Sequence, residues 1–240
     1  MNELMYKKKS FFDSCPEMKD AAFDYAKKYM AFLDESKTER DAVRTAIKIA
    51  SEQGYVPYQL GDELVSGGKY YLNNRDKSLY LIKIGEGELT DGIKLLAAHI
   101  DSPRLDLKQR PLYEDGGMAF LKTHYYGGIR KYQWTTIPLA LHGVVVTADE
   151  SVIDVVIGED ESDPILYVND LLPHLAKDQS EKPLGSAISG EQLNLLIGSE
   201  PIDKESDAIK RNVMKLLCDK YGFGEDDFVS AELWCILDKQ

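Results

Sequence analysis

The sequence predicts a mixed α/β protein: helices first, then a short β region, then a longer β-rich block with one strong helix. Three observations predict it. Apolar residues recur at helical spacing over residues 16–33 and 38–53. Runs rich in Val, Ile and aromatic residues, apolar or alternating, recur between residues 69 and 158. An amphipathic helical pattern returns once, over residues 206–221.

Taken in order, residues 1–15 are polar apart from a Phe11-Phe12 pair that could pack as an arm. Pro16 suits a first helical turn, and Ala22, Phe23, Ala26, Met30 and Leu33 then share one face. Thr38-Glu39-Arg40-Asp41 reads as a capped start to a second helix with Val43, Ala46, Ile47 and Ala50 inward and Gly54 as terminator. Strands are expected over 69–72 and 78–84, joined by the turn residues Asn73-Asn74-Arg75-Asp76. Gly85-Glu86-Gly87-Glu88 is a further turn; with no Lys-Ser/Thr and no helix after it, it is not a phosphate loop. Ile93 to Ala98 is an apolar run without helical spacing. It fits a strand buried on both faces, although periodicity alone does not separate it from a buried helix segment. Strands are read over 137–146 and 152–158, a short element over 171–177, an exposed loop over 179–190, the strong helix over 206–221 with Gly222 at its end, and a last strand over 228–237.

Composition narrows the function classes. The chain has 240 residues, enough to bury a core in one or two domains. A net charge of -12, from 29 basic and 41 acidic side chains, argues against non-specific binding to nucleic acid or anionic membrane. Cys15, Cys218 and Cys235 are far apart and odd in number, which suggests neither a disulfide framework nor a thiolate zinc knuckle. No apolar stretch follows Lys7-Lys8-Lys9 or is long enough to span a bilayer, so a cytoplasmic home is expected.

Chemistry concentrates at His99-Ile100-Asp101, where the apolar run ends before Ser102-Pro103. In extended chain, residues two apart point to one side, so His99 and Asp101 should project together from a strand end. Imidazole is a common zinc ligand, and a neighbouring carboxylate can fix its tautomer. The plain alternative is a surface His beside an Asp. His124, next to paired glycines in an aromatic-rich stretch, reads as packing more than ligation, and His142, inside a Val/Leu-rich strand, as a core or edge histidine.

The segment Ala98-His99-Ile100-Asp101-Ser102-Pro103-Arg104-Leu105-Asp106-Leu107-Lys108 resembles the Ala/Gly-His-Thr-Asp-Ser-Pro signature of the M18 metallo-aminopeptidases, the aspartyl aminopeptidase family. Tyr125 to Ile129 resembles that family's Tyr-Gly-Gly-Gly segment, Leu139 to Val146 the strand after it, and Pro173-His174-Leu175-Ala176 a recurring tetrapeptide. The resemblance implies the N-terminal part of an α/β-sandwich zinc exopeptidase domain followed by a β-rich dimerisation domain with a helix. On that reading residues 1–104 belong to the catalytic domain, 105–228 to the dimerisation domain, and 229–240 begin a return to the catalytic domain. It implies two zinc ions per complete site, other divalent metals being compatible, and removal of N-terminal, often acidic, residues from peptide substrates. It also implies homo-oligomers, dimers that build dodecamers. His99 is placed as a metal ligand and Asp101 as the carboxylate that supports it in catalysis. His174 is carried as a substrate-binding candidate. The histidine that reaches a neighbouring subunit in some relatives falls four positions later, where this chain has Asp178.

The resemblance also sets a limit. The remaining family ligands and the general base lie beyond the dimerisation domain, and these 240 residues hold one ligand and its partner. Zinc sites with an open position use about three protein ligands. The sequence is therefore expected to be the N-terminal half of an aminopeptidase, inactive alone, whether as an expressed fragment or as a truncated or frameshifted product. The alternative from another class is a non-catalytic remnant that keeps a dimerisation surface.

Overall fold

A computed structural model describes residues 5–237. The chain divides into two compact units, Met1–Ala98 and His99–Gln240.

The first unit carries two principal helices, α1 (Lys19–Glu35) and α2 (Glu39–Glu52), and a three-stranded sheet of β1 (Val56–Pro57), β2 (Lys69–Asn74) and β3 (Ser78–Lys83) in that spatial order. The capped start of α2 is as the sequence reads: the Thr38 hydroxyl accepts from the Asp41 amide at 3.1 Å and donates to the Asp41 carboxylate at 2.8 Å. Ala42, Val43, Thr45 and Ala50 are its buried face. The β2–β3 turn is closed by the Asp76 amide donating to Asn73 at 3.0 Å, with Arg75 and Asp76 at positive φ. Two expectations change. Helix α1 buries no residue, so its apolar stripe (Phe23, Met30 and Leu33) is exposed. Residues 93–98 form no strand and are exposed throughout. Strand structure requires a hydrogen-bonded neighbour, and neither β1, β2 nor β3 pairs with them.

The second unit is built on a seven-stranded sheet. Its strands are β4 (Arg104–Asp115), β5 (Met118–Tyr126), β6 (Leu139–Val146), β7 (Val152–Ile157), β8 (Tyr167–Val168), β9 (Leu195–Gly198) and β10 (Glu232–Leu237). Their spatial order is β7-β6-β10-β4-β5-β9-β8. The β4–β5 hairpin turns at Gly116 and Gly117, both at positive φ, and bulges between Leu107 and Leu112. Strand β4 was not read from the sequence because this bulge breaks its alternation. Helix α3 (Ala208–Tyr221) supplies Ile209, Val213 and Leu217 to a core shared with Leu105, Leu121, Leu141, Leu195 and Phe228. The Glu114 carboxylate, from β4, accepts from the Ile209 and Lys210 amides at 2.9 and 3.0 Å and so caps the helix start. Gly222, at positive φ, ends it. The short element expected over 171–177 begins later, as a single helical turn, Lys177–Ser180.

The units divide between Ala98 and His99, and β10 (Glu232–Leu237) belongs to the sheet of the second unit. Strand β10 lies between β6 and β4, antiparallel to both, with Leu233, Trp234 and Cys235 buried. Those apolar side chains and the open edges of β4 and β6 account for its place. Gly143 makes the approach possible: a Cβ there would overlap the Glu232 carbonyl oxygen and stand 3.0 Å from the Leu233 Cα.

Candidate metal centre

Pairing in the second sheet sets one polar face. Strand β4 places Arg104 and Asp106 on the same side, since side chains alternate along a strand. In the β4–β5 ladder Arg104 stands opposite Tyr126, and in the β10–β4 ladder Trp234 stands opposite Asp106. The Arg104 guanidinium consequently lies between two rings, 4.3 Å from the Tyr126 centroid and 4.4 Å from that of Trp234. Its Nε donates to Asp106 Oδ1 at 2.7 Å. Only 9 % of Arg104 remains exposed.

His99 and Asp101 precede this strand in chain direction, at the entry to β4. They do not sit at the end of a strand formed by 93–98. The expected pairing of the two side chains is present. His99 Nδ1 is 2.9 Å from the Asp101 backbone oxygen and 3.3 Å from its carboxylate. A carbonyl oxygen only accepts, so this contact puts the proton on Nδ1 and leaves the Nε2 lone pair open. The His99 side chain is 84 % exposed. Asp101 is held from the opposite side by the Tyr126 hydroxyl, which donates to Oδ2 at 2.8 Å. That hydrogen bond is the main reason the Asp101 carboxyl lies below its usual range. Gly127, at positive φ, follows Tyr126 and lets the loop close against Pro103.

A connected set results: His99, Asp101, Tyr126, Arg104, Asp106 and Trp234. Sequence reasoning named the first two. It left Arg104 without a chemical role and did not single out Tyr126 or Trp234 for this site. The aromatic-rich stretch around Tyr126 was the available signal for one of them. His174 does not join the set; it is exposed in the turn over residues 172–175. His142 is a satisfied core histidine, its Nε2 3.0 Å from Glu159 Oε1. His124 stacks on Tyr125 with ring centroids 5.6 Å apart.

As a zinc centre the set is incomplete. It offers one open imidazole nitrogen and one carboxylate already engaged by Tyr126, whereas zinc sites with an open position use about three protein ligands. Among the described residues no group of three or more His, Cys, Asp or Glu side chains is arranged to hold a metal ion. The residues present therefore suit one ligand position and do not fit a whole site. No helix among the described residues is long and apolar enough to cross a membrane.

Comparison with known proteins agrees with the fold. A model of the aminopeptidase I zinc metalloprotease (M18) family matches residues 32–240. A Clostridium acetobutylicum relative named as a probable M18 family aminopeptidase 1 is 47% identical over 239 residues, covering 97% of this chain and 51% of the relative. The crystal structure of aminopeptidase I from the same organism superposes with a TM-score of 0.85 at 42% identity, covering 98% of this chain and 53% of that one. An M18 aminopeptidase structure from Thermotoga maritima gives a TM-score of 0.85 at 40% identity, over 91% and 48% of the two chains. The chain spans about half the length of the curated relatives it matches.

Proposed function

Because the chain belongs to the M18 family of zinc metalloproteases, we propose that it contributes part of the active site of a zinc-dependent aminopeptidase that removes N-terminal residues, acidic ones among them, from peptides. His99 is a ligand to one of two zinc ions, and Asp101 is the carboxylate that holds its ring. His174 is a contact for peptide substrate. The enzyme works in the cytoplasm as a homo-oligomer.

The observation that carries this reading is the 2.9 Å contact between His99 Nδ1 and the Asp101 backbone oxygen. With Nδ1–H donating to the Asp101 carbonyl, Nε2 is the ring nitrogen left to bind a ligand, on a largely exposed side chain. A metal-binding histidine commonly has this arrangement, with its second nitrogen donating to a fixed acceptor. Such a ring is preorganised as a ligand, because binding requires no change of tautomer. Asp101 is itself braced, since Tyr126 occupies one carboxylate oxygen and leaves the other near His99.

The test uses two proteins. One is the 240-residue chain. The other is a chimera in which this chain replaces the matching half of the Clostridium acetobutylicum relative. Zinc content and hydrolysis of aspartyl- and leucyl-p-nitroanilide are measured for each. The chimera should hold zinc and cleave, and His99→Ala should abolish both. His174→Ala should raise KM with little change in kcat. The isolated chain should show neither stoichiometric zinc nor turnover, in keeping with its two donors. Metal-dependent cleavage in the chimera that survives His99→Ala would sink the assignment. The same cleavage by the isolated chain would show that these residues suffice.

A further inference from the structure

Residues 129–132 and 184–185 line a recess of about 320 Å³ within the second unit. Small-molecule pockets run from roughly 300 to 1,000 Å³, so this one suits a ligand about the size of an amino acid. Its polar lining is Arg130, Lys131 and Tyr132, and its apolar lining is Ile129 and Leu184. Ile129 and Tyr132 pack against the buried core, which fixes that side. On the other side Leu184 opens a short helical turn. Its Ser186 and Ala187 amides both donate to the Pro183 carbonyl, at 2.8 and 3.0 Å.

The charge of the recess is the reverse of the chain's. The net charge is -12, yet among the described residues neither Arg130 nor Lys131 is paired with a carboxylate. Arg130 donates to the Tyr132 hydroxyl at 3.3 Å, and Lys131 Nζ lies 5.7 Å from the Tyr125 ring centroid. A guanidinium has five N–H donors, so most of those on Arg130 remain to be used. A hydroxyl that accepts from Arg130 keeps its own proton for another acceptor, which makes Tyr132 a third donor. Three donors, two of them cationic, match the paired oxygens of a carboxylate. Ile129 and the 59 % exposed Leu184 match an apolar group attached to it. Inorganic phosphate would leave that apolar wall unused. Nucleic acid or an anionic membrane would meet the chain's overall negative charge.

We infer that this recess is a binding site for a small carboxylate with an apolar side chain, the chemistry carried by a free amino acid or by the last residue of a short peptide. Arg130 and Lys131 hold the carboxylate, Tyr132 donates to one of its oxygens, and the side chain lies between Ile129 and Leu184. An aminopeptidase releases the first kind of ligand and shortens the second, so either occupant couples the recess to the proposed reaction. The recess itself stands whether or not that reading does, because none of its residues belongs to the His99 set.

The experiment titrates the 240-residue chain in a calorimeter with N-acetyl-leucine, N-acetyl-leucinamide, acetate, inorganic phosphate, free leucine and the tripeptide Ala-Ala-Leu. N-acetyl-leucine should bind at one site per chain, and its amide, which lacks the carboxylate, should not. Acetate and phosphate should bind at least ten-fold more weakly, since neither fills the apolar side. Arg130 and Leu184 are exposed, so Arg130→Gln and Leu184→Ser should leave circular dichroism and Tm unchanged. Arg130→Gln should weaken N-acetyl-leucine about ten-fold or more, through loss of a charge-assisted donor. Leu184→Ser should weaken N-acetyl-leucine and leave acetate as it was. Tighter binding of leucine than of the tripeptide assigns the free amino acid as occupant, and the reverse order assigns the peptide end. The inference is overturned if no carboxylate binds, if the amide or phosphate binds as tightly as N-acetyl-leucine, or if folded Arg130→Gln binds like wild type. Loss of nitroanilide cleavage by the chimera with His99→Ala bears on the aminopeptidase reading and leaves these titrations unchanged.

Discussion

Replacing Arg104 by alanine tests the stacking of its guanidinium against Tyr126 and Trp234. The wild-type guanidinium is within 4.5 Å of two ring centroids at a site only 9 % exposed. Cation–π contacts run from about 0.5–1 kcal/mol at exposed sites to about 2 when desolvated, so the pair contributes roughly 2 kcal/mol. The 2.7 Å bond to Asp106 joins side chains 11 % and 27 % exposed. A charge-assisted bond contributes about 1.5–3 kcal/mol, and partial solvent screening places this one near the lower value. Arg104→Ala should then cost about 3–4 kcal/mol, a large share of the ~5–15 kcal/mol stability of an ordinary domain. Arg104→Lys keeps the charge but loses the flat fork, and should cost about 2 kcal/mol. The chain's two tryptophans, Trp134 and Trp234, both lie in the second unit, so urea unfolding followed by tryptophan fluorescence reports on that unit. A loss below about 1 kcal/mol for Arg104→Ala, or equal stability for Arg104→Lys and wild type, would refute the argument that stacking between Tyr126 and Trp234 holds this face together.

Other outcomes follow from the same geometry. Gly143→Ala should destabilise the second unit by about 3 kcal/mol or more, through overlap with the Glu232 carbonyl and a φ of +148°, and a Tm within a degree or so of wild type would contradict the close β6–β10 approach. Tyr126→Phe should move the Asp101 carboxyl titration upward, measured by carboxyl carbon NMR. The sign follows from linkage. A carboxyl whose folded pKa is depressed adds stability above its unfolded pKa and loses it as pH falls through the folded value, so the variant should show a shallower acid-side loss of stability. An unchanged Asp101 titration would remove Tyr126 from its role. Burial pushes the Cys235 thiol well up, so at about pH 8 native protein should leave Cys235 unlabelled by a thiol reagent while exposed Cys218 reacts. Rapid labelling of Cys235 before unfolding would show that β10 does not stay in the sheet.

Features legible in the sequence are those set by neighbours within a few residues. The Thr38 cap, the turn at Asn73 to Asp76 and the Gly222 helix end all appear in the structure, because capping and turn formation depend on side chains reaching the adjacent backbone. The closeness of His99 and Asp101 is likewise a two-residue relation and survives although the expected strand before them does not form. Apolar pattern alone did not reveal whether a partner was present. The α1 residues read as one apolar face and the run at 93–98 as a buried segment, and Phe23, Met30, Leu33 and residues 93–98 are exposed, because hydrophobicity shows a tendency to be covered without supplying the cover.

The sequence by itself determined the mixed α/β class, the α3 helix, the turn at Asn73 to Asp76 and the His99–Asp101 pair, since each follows from local spacing, capping and backbone preference. Only the tertiary structure decided which side chains support that pair. Tyr126 comes to Arg104 through the β4–β5 register, and Trp234 arrives from near the end of the chain because β10 inserts between β6 and β4. Strand pairing between distant segments depends on complementary edges and buried faces, which leave no local signature. The brace on Asp101 therefore became visible only when the sheet was assembled.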